Sequence, residues 1–224
     1  MWVFPLAATA ISVTFFGVLL RSWSARRSPQ LLAWAIALLM FTLASAAVLV
    51  GTSTEWTPGW FRIYYLFGAI ANVPVLALGT LYLLTPRRFA HGCAALVAGA
   101  TALAAIAVSR VDLTATSLDA TGIPAAADVV TPAIRWLSRI YSFTGFFVVV
   151  GGAIWSAVKP GGRDRGADGK LVAANFLIAL GTLVVAVGST FARYGQGSVF
   201  AAGLALGIGL MFAGFLRARA PATR

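Results

Sequence analysis

Seven stretches of the chain are almost unbrokenly apolar, and the polar residues gather between them. They cover residues 2–20, 31–50, 63–84, 89–108, 134–158, 171–190 and 199–216. A bilayer-crossing helix needs about 17–25 predominantly apolar residues, since the hydrocarbon layer is about 30 Å thick. The pattern therefore predicts an all-α polytopic membrane protein: one domain of seven transmembrane helices over residues 1–224, with no soluble domain. The fourth stretch is short and alanine-rich. Ser28-Pro29, Thr57-Pro58 and Thr131-Pro132 each set a capping hydroxyl before a proline at the first helical position, where a missing N–H costs nothing.

The third stretch breaks its own pattern. "RIYYLFGAIANVPVLALGTLYLLTPRR" (residues 62–88) carries Asn72 and Pro74 near its middle. Proline at 74 cannot donate to the carbonyl of Ile70, so a bend is expected there, with Asn72 beside the gap. Two readings follow: packing at a kink, with Asn72 facing another helix, or a ligand or ion at the opened backbone. A similar run, "ANFLIALGTL" (174–183), echoes "ANVPVLALGTL" (71–81) with one residue fewer. It records either a duplication of the kind seen in repeat-built transporters or a chance match among Ala, Leu and Gly.

Composition agrees with the pattern: 60% hydrophobic, 10% charged, mean hydropathy +0.89, against about 45–50% and about 25% in soluble domains. Charge adds orientation. Twelve basic residues (Arg21, Arg26, Arg27, Arg87, Arg88, Lys159, Arg163, Arg165, Lys170, Arg217, Arg219 and Arg224) fall on one side of the seven spans. Five (Arg62, Arg110, Arg135, Arg139 and Arg193) fall on the other. The positive-inside rule then puts the N-terminus outside and the C-terminus in the cytoplasm. No basic residue precedes Arg21, so the first span is expected to be an uncleaved anchor rather than a signal peptide. Fifteen of the seventeen basic residues are arginine, which with abundant Ala and Gly fits a GC-rich bacterial genome; the expected location is a bacterial inner membrane. Residues 112–130 form the longest connection, outside, with Asp112, Asp119 and Asp128; "KPGGRDRGADGK" reads as a mobile inner hinge.

The candidate chemistry is sparse. All six acids lie in loops, so no span carries the ionisable carboxylate that proton-coupled transporters and pumps use. Both lysines lie in or beside the fifth connection, which leaves no mid-membrane lysine for a retinal Schiff base. One cysteine (Cys93) and one histidine (His91) exclude a disulfide, a CxxC motif and a conventional metal site. No cofactor, metal or nucleic acid is expected, and no enzymatic activity.

What remains is a face on the fifth span: Arg135, Ser138, Arg139 and Ser142, at i, i+3, i+4 and i+7. With Arg62, Tyr64, Tyr65, Arg193 and Tyr194 at the same level, it predicts an outward-facing pocket for an anionic ligand, with Arg139 inward near Tyr65. The alternative is arginines contacting lipid phosphate. Gly203 and Gly207 form a GxxxG pair, with Ala205 and Gly209 on the adjacent row. Such rows let helices approach closely, within the chain or between two copies.

"LLAWAIALLMFTLASAAVLVG", an outer loop, and then "WFRIYYLFGAIANVPVLALGTLYLL" resemble the seven-helix membrane sensor module of bacterial histidine kinases and diguanylate cyclases. The likeness covers spans two and three and includes an aromatic–Arg–aromatic opening of the third helix. Those modules precede a cytoplasmic signalling domain, whereas eight residues follow Leu216 here. The resemblance therefore implies a stand-alone relative that signals through a partner.

The expected function is a receptor-like or accessory module in the lipid bilayer that binds a small anionic ligand or a partner membrane protein. The alternative is a small-solute transporter with a midplane site at Asn72 and Asn175. A reporter fused after Arg224 should behave as cytoplasmic and one in the 112–130 loop as external; the opposite result would overturn the orientation.

Overall fold

The computed structural model describes residues 2–113, 118, 123–124, 129–158, 165–192 and 196–219. They form seven helices: α1 (Val3–Arg26), α2 (Pro29–Ser53), α3 (Pro58–Leu84), α4 (Arg87–Ser109), α5 (Pro132–Val158), α6 (Arg165–Ala192) and α7 (Gly197–Arg219). Six carry segments long and apolar enough to cross a membrane; α6 carries the shorter apolar segment Phe176–Phe191. The alanine-rich α4, which looked the thinnest in sequence, reaches full spanning length.

Three of the boundaries follow the prolines. Pro29 and Pro58 open α2 and α3, and Thr57 Oγ1 accepts the Trp60 N–H as an N-cap. Ser28 sits at the N-cap of α2 without a capping bond, and its hydroxyl is buried with no partner. Pro132 opens α5.

Six helices pack in a closed ring, in the order α1, α2, α3, α5, α6, α7 and back to α1. Contacts in register give their directions. Thr9 meets Ser45 and Ser12 meets Thr42, so α1 and α2 run antiparallel. Gly145 meets Val73 and Gly152 meets Thr80, so α3 and α5 run parallel. α4 stands outside the ring, with only 11% of its spanning window buried. Two hydrogen bonds pin it: Tyr82 Oη to His91 Nδ1 at 2.9 Å, and Tyr141 Oη to the Val97 carbonyl at 3.3 Å.

Lipid is as apolar as leucine, so burial alone does not hold such helices together; close packing and interhelical hydrogen bonds must. Both are present. Between α1 and α2, the Thr9 hydroxyl donates to Ser45 Oγ (3.1 Å) and the Thr42 hydroxyl to Ser12 Oγ (3.0 Å), with both serines fully enclosed. Between α6 and α7, glycine replaces polarity. A Cβ added at Gly207 would stand 2.7 Å from the Gly181 carbonyl oxygen, one at Gly203 3.2 Å from Gly188 Cα, and one at Gly214 2.7 Å from the Ala174 carbonyl oxygen. The GxxxG pair thus faces α6 of the same chain, which takes up the row that sequence left open for a second copy.

Gly92 and Gly99 on α4 have open space around them. Gly207→Ala should therefore lower unfolding stability in detergent by about 1–3 kcal/mol through overpacking. Gly92→Ala and Gly99→Ala should stay within about 0.5 kcal/mol of the parent. Equal effects at all three positions would contradict the packing described.

Candidate functional site

The first region to consider lies at the end of the bundle carrying Arg62, Arg135 and Arg139. Tyr65 is buried and stacks on Phe61 with centroids 5.7 Å apart, while Tyr64 meets Trp56, Phe61 and Phe200 edge-on. Arg62 donates from Nη2 to the Val111 carbonyl at 3.1 Å; its Nε is buried with no hydrogen-bond partner. Arg139, expected inward near Tyr65, makes its ring contact with Trp136. Its guanidinium lies 5.1 Å from the ring of Trp136, which is 60% exposed. The same pairing closes α1 at the opposite end, where Arg27 covers Trp23 at 4.8 Å. An arginine resting on a tryptophan, exposed at Trp136 and half-buried at Trp23, is how amphipathic side chains settle at a membrane interface. Arg135 is half-buried. Arg193, Tyr194 and the Asn175 side chain lie outside the described residues.

The serines of the stripe go elsewhere. Ser138 and Ser142 both donate to the carbonyl of Ala69 on α3, at 2.7 and 3.1 Å. The reason lies in α3. From Tyr64 to Ala71 the helix is wound as a π-helix before returning to α over Asn72–Leu84. In the i→i+5 pattern of a π-helix, the residue opposite Ala69 is position 74, and proline has no N–H to give. Sequence reasoning, assuming α geometry, put the orphan carbonyl at Ile70. The carbonyl that the two hydroxyls from α5 meet is that of Ala69, one residue before it and inside the π-helix.

One turn on, Gly145 lets α5 close onto the same place: a Cβ there would be 2.9 Å from the Val73 carbonyl and 3.0 Å from Pro74 N. Asn72, buried, donates from Nδ2 across to the Ala37 carbonyl on α2 at 3.0 Å. Asn72 and Pro74 therefore sit in a junction where α3 is tied to α2 and α5. The missed signal was the spacing Ser138, Ser142, Gly145, which continues the serine face without the arginines.

A cavity of about 100 Å³ lies nearer the basic end of the ring, bounded by α1, α2, α3, α5, α6 and α7. Phe15, Trp34, Thr80, Gly152, Ser156 and Phe215 contribute to its walls. On α3 its lining starts at Leu76, one turn beyond Asn72. Leu83 and Leu84, 52% and 39% exposed, form its rim. Sequence offered one sign of it: Gly79 is the only residue that leaves room for the Trp34 indole, with which a Cβ would collide.

A second, open groove of about 700 Å³ runs between α6 and α7 under Phe4, over the Gly188–Gly203 crossing. Its walls are Leu, Val, Phe, Ala and Gly, and it exists because glycines leave the crossing bare. Among the described residues, no three His, Cys, Asp or Glu side chains gather as a metal site. Comparison of the chain with protein-family models, with curated proteins and with solved structures finds no match in any of the three.

Removing the hydroxyls tests the junction. Ser138→Ala with Ser142→Ala should cost about 1–3 kcal/mol, the penalty of an unsatisfied buried carbonyl. Pro74→Ala restores an N–H, so the double serine replacement should cost less in that background. Additive effects in an unfolding titration would remove the link between proline and serines.

Proposed function

We propose that this chain is a non-enzymatic, receptor-like or accessory membrane module with seven crossings, its N-terminus outside and its basic end in the cytoplasm. Its ligand is small, anionic and held at the basic end. Support for the seventh crossing comes from α6, whose 28 residues amount to about 42 Å of helix, and which lies in the ring between α5 and α7.

The observation that carries the ligand reading is the cavity bounded by six helices beside Leu83 and Leu84. Just beyond its walls in sequence come Arg87 and Arg88 after Leu84 on α3, and Arg217 after Phe215 on α7, all exposed. Its walls end one turn short of the Asn72–Ala37 hydrogen bond. A cavity that stops there suits a module that binds without carrying its ligand across. The lateral partner expected of a signalling relative has a free face in α4, which the ring leaves largely uncovered.

Small-solute transport is the second reading, and one observation favours it: α3 is interrupted at Tyr64–Ala71, the kind of discontinuity that transporters place at a midplane site.

Cysteine accessibility separates the two. In a Cys93→Ser background, Ser156→Cys should react with a membrane-impermeant thiol reagent in inside-out vesicles and stay unreactive in right-side-out cells. Labelling from both sides would favour transport; labelling from neither would remove the receptor reading.

A further inference from the structure

We infer that the ligand of this cavity is a single-chain anionic amphiphile, a free fatty acid, with its tail end inside the bundle and its carboxylate outside the rim. The inference rests on the receptor reading above and narrows it to a ligand class.

Volume sets the shape. Pockets for whole small molecules measure about 300–1,000 Å³, and an apolar cavity of about 150 Å³ holds one benzene ring. At about 100 Å³, this cavity admits a few methylenes in file and nothing broader. Its lining sets the polarity. Phe15, Leu38, Met211 and Phe215 are apolar, and among the described residues Thr80, Ser156 and Trp34 are its polar side chains. No cation lines it among the described residues, so a carboxylate inside would be buried without a counter-charge from them.

The rim supplies what the interior lacks. Arg87 and Arg88 open α4, three and four residues after Leu84 ends α3, and Arg217 lies two residues past Phe215; all three are exposed. The described acidic side chains, Glu55 and Asp112, lie at the opposite end of the bundle, in the α2–α3 connection and after α4. Glu55 and Asp112 therefore do not compete with a negative head for these arginines; Asp164 and the Asp168 side chain lie outside the described residues. A neutral head would gain nothing from this rim. A narrow apolar end beneath a cationic edge is complementary to a chain with a terminal carboxylate.

The test uses undecanoic acid carrying bromine at its far end, a quencher of the Trp34 indole, added to the purified full chain in nanodiscs. Quenching should saturate and lose its saturable part in Trp34→Phe. It should weaken at least tenfold in Ala153→Phe or Thr80→Leu, which fill the cavity, and by a similar factor in Arg87→Gln/Arg88→Gln, which leaves the walls intact. Thermal melts confirm that each variant is folded. Equal binding of the matching brominated alcohol, unaffected by the arginine changes, would overturn the anionic amphiphile while leaving a cavity receptor standing. Unsaturable quenching, matched by brominated phosphatidylglycerol and unchanged in Ala153→Phe, would overturn the proposal; if Ser156→Cys were also inaccessible, the receptor reading would fall with it.

Discussion

The constraint on which this structure turns is that a carbonyl at membrane depth has no water to bond with. Pro74 removes a donor from the middle of α3, and the molecule answers with three local devices. The preceding stretch is wound as a π-helix over Tyr64–Ala71, Ser138 and Ser142 donate to the Ala69 carbonyl within it, and Gly145 lets α5 come close enough for them to reach. Because α3 also holds α2 through Asn72, this one junction fixes three consecutive members of the ring. The cavity begins one turn beyond it, where α3 has returned to α geometry.

Elsewhere the ring closes by a different means. α6 and α7 meet over Gly181, Gly188, Gly203, Gly207 and Gly214, with backbone against backbone and no polar side chain needed at the crossing. The seam is therefore tied by shape, and the α3 junction by hydrogen bonds. Shape complementarity tolerates little substitution; a hydroxyl pair tolerates loss of either member better than loss of both.

The helical, membrane-embedded class was legible at once, because 60% apolar composition broken into spanning runs has no other folded outcome. Helix starts at Pro29, Pro58 and Pro132 were legible for a local reason, a proline with nothing to lose. Asn72 facing another helix was one of two stated readings. Depth and register were harder. Nothing in "YYLFGAIANVP" announces five-residue rather than four-residue bonding, since a π-helix is a response to neighbours. The arginine–serine stripe on α5 misled because four polar residues on one face read as one site. Only coordinates separate Ser138 and Ser142, which turn to a backbone carbonyl, from Arg139, which turns to Trp136. The cavity had no polar signature to read, being made by Trp34 seated against Gly79 and by small residues on α5.

The place of α4 has a consequence for how the fold varies. α3 and α5 are neighbours that run the same way, and two parallel neighbours in one chain require a return stroke between them, as a helix provides between parallel strands of a βαβ unit. α4 is that stroke. It lies outside the ring and is pinned by Tyr82–His91 and Tyr141–Val97. Beyond His91 and the buried Ala90, Ala104 and Val108, what the fold asks of it is length and hydropathy rather than side-chain identity. Sequence drift should therefore run fastest there, and a foreign apolar helix of equal length is the one replacement the ring would accommodate without repacking.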